Sequence, residues 1–266
     1  MNDIQYKDSI VVFLDLLGFS NTVKNSKEDS IKNIFDLVFY IKAWNTSNGE
    51  NKFIEKKDFI YEDFLNDKVV DYKKIQKELQ ISFFSDSMVI TFPYSNDELQ
   101  IKLFLIIRAL SYFISKIAMQ NFFVRGGISI GKMFHEDNIY FGPAYLEAHR
   151  LESKVAIYPR VIFSENLKQK VKEIPYTKES KDGLVHVDWI YFLEKQEKSN
   201  IIARFSNLPS LQNITNIVNQ NIMSTKNIKV LTKYIWLRSQ IENEKHIYSW
   251  IKYWKSRFFC LFVKKR

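Results

Sequence analysis

Apolar positions along this chain switch between unbroken runs and a helical period. Residues 9–17, SIVVFLDLL, form a run that is β-branched early, the pattern of a central strand covered on both faces. Gly18 ends it, and residues 20–44 carry Ile31, Ile34, Phe35, Val38 and Ile41 at helical spacing. Residues 45–78 are polar and charged with scattered aromatics, an excursion from the core fold. LQISFFSDSMVITFPYS, residues 79–95, reads as two strands hinged at Ser85-Asp86-Ser87, with Pro93 closing the second. A long helix follows, with Asn96 and Asp97 as capping candidates. FFVRGGISIGKMF is again a strand, YFGPAYLEAHRLES a helix after Pro143, RVIFS a short strand and VHVDWIYFL a last strand. From about residue 208 the pattern is helical and basic to the end.

The order strand, helix, hairpin, helix, strand, helix, strand predicts an α+β fold, a ferredoxin-like antiparallel sheet covered by helices. Residues 1–195 are expected to form the principal unit, with the 45–78 excursion inserted, and 196–266 a helical, basic and aromatic extension. No internal repeat of solenoid period is present.

Composition narrows the class. The 266 residues are 46% hydrophobic, enough for a sizeable core, and seven Gly with five Pro rule out a disordered or collagen-like chain. The lone cysteine, Cys260, precludes an internal disulfide framework and fits a reducing, cytoplasmic setting. No apolar run reaches the roughly 18–20 residues that span a bilayer, and the N-terminus is not a signal peptide. His135, His149, His186 and His246 lack metal-ligand spacing. The net charge of +9 favours polyanionic partners, but the lysines form no stripe interleaved with aromatics, so nucleic acid is not expected. The tail HIYSWIKYWKSRFFCLFVKKR could lie on a membrane surface, yet an amphipathic stripe of this kind is expected to pack on the body or on a second subunit.

Two segments suggest chemistry. GGISIGKM has the Gly126, Gly131 and Lys132 spacing of a phosphate-binding P-loop, but Met133 replaces the required Ser/Thr and Ile128 and Ile130 alternate as in a strand. It is read as a strand. The second is a carboxylate pair: Asp15 inside the apolar run, and Asp86 at the hinge of a hairpin that would pair beside it. An unpaired buried charge costs several kcal/mol, on the order of magnitude measured for such groups. Two converging carboxylates repel unless a cation lies between them, and hard oxygen ligands select Mg²⁺ or Mn²⁺. Removing either charge is therefore expected to hold or raise stability without metal. Asp86 could also be an ordinary turn residue, and Arg150 in the Pro143 helix an ordinary solvated arginine.

In order along the chain, FLDLLGFS, the Asp86 hairpin, RGGISIG, GPAYLEAHRLE and RVIFS resemble the class III nucleotidyl cyclase catalytic domain over roughly residues 9–192. Ser85 stands where the family hairpin has glycine. The resemblance implies two divalent cations, Mn²⁺ or Mg²⁺, on Asp15, Asp86 and the Leu16 carbonyl, binding a nucleoside triphosphate. One would activate the ribose 3′-hydroxyl for attack on the α-phosphate. Backbone amides of Leu17, Gly18, Phe19 and Ser20 would cradle the triphosphate, and Arg150 would neutralise charge on the α-phosphate. It also implies a homodimer with shared sites, in which the aspartates and the arginine come from different chains.

The family asparagine that orients the ribose falls on Leu146, with Glu147 beside it, and the two base-reading positions hold Ser82 and Ile139. Neither purine set is present. On that ground the chain looks like the pyrimidine cyclases of bacterial Pycsar anti-phage systems, which make cyclic UMP or cyclic CMP to activate a separate effector protein. The alternatives are a purine cyclase with unusual base contacts and a non-catalytic nucleotide-binding dimerisation module of the same fold.

Overall fold

The computed structural model describes residues 5–24, 32, 78–136, 138–198 and 208–242. The 45–77 part of the excursion, most of the first predicted helix and the 246–266 tail lie outside them.

Strand β1, Lys7–Leu17, is an interior strand of the sheet. β2 (Gln80–Phe84) and β3 (Ser87–Pro93) form the predicted hairpin, and β4 (Phe123–Glu136) flanks β1 on its other side. β5 is Ile139–Phe141, β6 Val161–Phe163, β7 Thr177–Glu179 and β8 Val185–Val187. The sheet order is β2-β3-β1-β4-β6-β8-β7, with β5 paired on β4. β2-β3-β1-β4 is the ferredoxin-like core expected from the element order, and among the described strand pairs only β4 with β6 is parallel. The GGISIGKM segment lies within β4, and Lys132 pairs with Asp8 at 2.9 Å, so it is a strand and not a phosphate loop.

The period of two in β1 sorts its side chains. Ile10, Val12 and Leu14 enter one core with Leu103, Ile107 and Leu110 of α2, the helix Leu99–Ala118. Val11 and Phe13 face the opposite way, with Ala144 and Ala148 of α3, the helix Pro143–Arg150. Asp15 continues the Val11–Phe13 row. Helix α3 lies close on β4: a Cβ on Gly127 would overlap the Ala148 carbonyl and lie 2.6 Å from Leu151 Cβ. α3 runs on into a π-helical turn, Leu151–Val155, which carries Glu152.

Two local readings are corrected. The N-cap residue of α2 is Glu98, whose carboxylate accepts from the Ser95 backbone N–H at 3.1 Å, in place of Asn96 or Asp97. The run predicted as a last strand is strand only to Val187: the Asp188 carboxylate accepts from the Tyr191 N–H at 3.1 Å, and Trp189–Lys198 is helical (α5). A short apolar run has no decisive period, and here the cap settles it. α1 is Phe19–Lys24 and α4 Glu165–Lys170. α6, Leu211–Ser224, and the helical residues 228–242 follow; Leu211, Ile214, Val218, Leu237 and Ile241 join the same core as α2. Among the described residues no helix is long and apolar enough to cross a membrane.

Candidate active site

The site forms at the C-terminal end of β1, beside the π-helical turn that follows α3. Asp15 is opposite Ser87 of β3 and Arg125 of β4, and Asp86 occupies the two-residue turn before Ser87. The Leu16 N–H donates to the Asp86 carbonyl at 3.0 Å, tying the hairpin turn to the residue after Asp15. The two carboxylate-bearing segments predicted to converge are thus joined by their backbones. Ser85 holds a φ of 55°, the left-handed region that favours glycine. Gly18, at φ 93°, turns the chain out of β1 into α1.

Sequence reading assigned no role to Arg125, Glu152 or Lys233, and all three belong here. Arg125 Nε donates to Asp15 Oδ2 at 2.9 Å and lies 2.7 Å from Glu152 Oε1. Nε carries a single hydrogen, so the second approach is a charge contact, and Glu152 Oε1 has no hydrogen-bond partner. Glu152 is 4% exposed. Burial pushes its carboxyl above the usual range; Arg125 opposes this, and the charges of Asp15 and Asp86 add to it. Lys233, from the helical residues 228–242, has its ammonium pulled below the ordinary value by burial and by Arg125, against Asp15 and Glu152. Tyr234, next to it, sets its ring 5.7 Å from Phe123 at the start of β4.

The remaining predicted residues lie apart from this cluster or at its edge. Leu16, Leu17 and Phe19 are half-buried against the core; for Ser20 only the backbone is described. Arg150 is exposed on α3 and forms a two-point contact with Glu147, Nε to Oε2 at 2.7 Å and a terminal nitrogen to Oε1 at 2.9 Å. This pair holds the Glu147 carboxyl below its ordinary range. Leu146 and Ile139 are exposed. Ser82 is buried on β2, and its hydroxyl meets His135 Nε2 at 2.8 Å.

Among the described residues, no group of three or more His, Cys, Asp or Glu side chains is arranged to hold a metal ion. The sequence-predicted metal ligands are the carboxylates of Asp15 and Asp86 and the Leu16 backbone carbonyl, fewer than three acidic or imidazole side chains. These are hard oxygen donors of the kind Mg²⁺ and Mn²⁺ take, with water completing the shell. The raised Glu152 carboxyl reflects its burial first, with the charges of Asp15 and Asp86 as smaller contributions.

No protein-family model and no curated protein matches the sequence. Among solved structures, the monomeric guanylyl cyclase domain of a RhoGC fusion protein from the aquatic fungus Blastocladiella emersonii is similar at 13% identity and TM-score 0.46, covering 68% of this chain and 95% of that one. An adenylate/guanylate cyclase/hydrolase from Silicibacter pomeroyi is similar at 19% identity and TM-score 0.35, covering 69% and 95%. Likeness at this level is no basis for assigning an activity.

Proposed function

We propose that this protein is a nucleotidyl cyclase that converts UTP or CTP to the 3′,5′-cyclic nucleotide and pyrophosphate. Supporting this reading is one observation above the rest: the Leu16–Asp86 backbone hydrogen bond holds two carboxylate-bearing segments together beside Arg125, inside motifs that resemble the class III cyclases. Asp15, Asp86 and the Leu16 carbonyl are the proposed holders of two divalent cations. When bound, these supply charge neutralisation at the phosphates and activation of the ribose hydroxyl. The backbone from Leu17 to Ser20 faces the phosphates. Arg150, exposed on α3, serves the site of a second copy of the chain in a homodimer, where it stabilises charge at the α-phosphate.

Pyrimidine choice is supported by what stands at the two positions aligned with the family's purine-reading residues. The Ser82 hydroxyl is bonded to His135 and Ile139 has no polar side-chain atom, so neither supplies the hydrogen-bond partners a purine needs. A purine polar group buried there without a partner would cost about 1–3 kcal/mol. The product is proposed to be an alarm signal in anti-phage defence, read by a separate effector protein.

Incubation with each of the four nucleoside triphosphates and Mn²⁺, followed by mass spectrometry, tests this directly. Cyclic UMP or cyclic CMP is the expected product. Cyclic AMP or cyclic GMP at equal yield would sink the pyrimidine choice, and no cyclic product from any of the four would sink the cyclase reading.

A further inference from the structure

Gln80, Thr91 and His135 gather in a polar pocket on the sheet face that carries Asp15. Register places them there. Thr91 pairs with Gln80 on one side and Val11 on the other, and Val11 is in the same alternating row as Asp15. At about 3.3 Å per residue the pocket lies about 13 Å along β1 from Asp15, comparable to the reach of a nucleoside triphosphate. His135 crosses from β4 and engages two hydroxyls, Thr91 Oγ1 at Nδ1 (2.6 Å) and Ser82 Oγ at Nε2 (2.8 Å). Thr91 and Ser82 are 2% and 3% exposed, so the cluster is built into the sheet. Gln80 Oε1 is buried without a hydrogen-bond partner. Gln80, Thr91 and His135 border a cavity of about 300 Å³, with Lys7 and Glu136 also on its wall.

Their chemistry specifies a ligand. A buried amide oxygen lacking a donor is costly, and such groups call for an explanation such as a ligand that supplies the missing hydrogen. A neutral imidazole has one N–H and one bare nitrogen. If Nδ1 carries the proton, Thr91 Oγ1 accepts it and the threonine O–H can turn to the cavity. Gln80 and Thr91 then offer an acceptor beside a donor. A planar ring with an N–H next to a carbonyl, the imide edge of uracil, complements that pair: N–H to Gln80 Oε1, carbonyl oxygen from the Thr91 hydroxyl. Tyr140 packs its ring 5.4 Å from His135, lending an aromatic edge to the same region.

We infer that Gln80 and Thr91 read the base of the substrate, and that His135, held by Ser82, is a positioning residue that fixes what Thr91 presents. This inference rests on the cyclase reading for its substrate but not for its binding test. Saturation-transfer NMR on the full chain, with uridine, cytidine, adenosine and guanosine as probes and no metal, should show uridine bound through its base protons. Gln80→Leu and Thr91→Val should weaken uridine binding by about tenfold or more. Gln80→Leu removes no hydrogen bond of Oε1 and keeps the test valid should Thr91→Val misfold. In turnover, the kcat/KM ratio of UTP to ATP should fall by a similar factor in Thr91→Val and His135→Phe. His135→Gln, which restores a donor and an acceptor, should recover part of it. Uridine binding that is absent in the wild type, or unchanged in folded variants, would overturn the inference, as would loss of activity with all four triphosphates in equal proportion. A wild type that binds uridine but cyclises nothing would remove the cyclase reading and leave the pocket standing.

Discussion

Asp15→Asn and Asp86→Asn should both abolish turnover, but the expectation that removing either charge holds or raises stability is kept for Asp86 only, because Asp15 is paired with Arg125. The Asp15 carboxylate accepts from Arg125 Nε at 2.9 Å, with side chains 17% and 27% exposed. Hydrogen bonds to charged groups contribute about 1.5–3 kcal/mol, and partial exposure reduces that to about 1–2 kcal/mol. The larger penalty for an orphaned buried charge does not apply, because Glu152 stays 2.7 Å from the same guanidinium. No such cation meets the Asp86 carboxylate among the described residues, and its charge adds to that of Asp15 near Glu152. Asp86→Asn should therefore stay within about 0.5 kcal/mol of wild type or gain slightly. At about 2–4 °C per kcal/mol for a chain of this size, Asp15→Asn should melt about 2–8 °C below Asp86→Asn. Thermal and urea unfolding in chelator measures this, and a double-mutant cycle with Arg125→Gln isolates the pair. Equal melting of the two variants, or a more stable Asp15→Asn, would refute the role given to Arg125; turnover by either variant would remove the carboxylate pair from the function.

Ser85→Gly should raise the urea midpoint by about 0.5–1 kcal/mol equivalent, since serine there holds a left-handed φ of 55°; a fall in midpoint would show that the serine side chain is needed in the turn. His186 is 4% exposed, and burial lowers its pKa to about 4 from 6.5. The unfolded chain thus binds the extra proton first, and stability should fall as pH drops from 6.5 toward 4, by up to about 3 kcal/mol. His186→Gln should flatten that part of the pH–stability curve, and an unaltered slope would assign it to other groups. Asp86→Ala and Arg150→Ala chains should each be inactive alone, and after subunit exchange should regain about a quarter of wild-type activity, because half the dimers are mixed and each holds one intact site. No recovery, with exchange shown independently, would place Arg150 in its own chain's site or in none.

What the sequence disclosed was whatever is local or strongly periodic. β1, the β2–β3 hairpin, α2 and β4 announce themselves by apolar runs, a turn and a long helical stripe, and they are the elements that place Asp15 and Asp86. The three-residue strands β5 and β7 are too short to carry a period, and the switch from β8 to α5 turns on one cap, Asp188. Arg125 and Glu152 stood in plain view inside RGGISIG and AHRLE, but their roles need the β1–β4 register and the π-helical turn after α3. Lys233 and His135 gave no local signal: the first comes from the extension, and the second meets Ser82 across 53 residues of chain. Long-range pairing of this kind is fixed by packing, which single-chain patterns do not encode.

Register also changes what Asp15 means. An aspartate in an apolar run looks like a residue waiting for a metal, because its charge has no evident neighbour in the sequence. In the fold, Arg125 stands opposite it on β4 and answers that charge, so burial of Asp15 alone is explained by an ion pair. Among the described residues, three carboxylates, Asp15, Asp86 and Glu152, share the neighbourhood with two cations, Arg125 and Lys233. Arg125 sits between Asp15 and Glu152, and Lys233 feels the same two acids, which leaves Asp86 as the one of the three least compensated by cations among the described residues. That residue is also the one whose backbone is tied to Leu16, on a turn in which Ser85 holds a left-handed φ. The case for a cation at this site therefore rests more on Asp86 than on the buried aspartate that first drew attention to it.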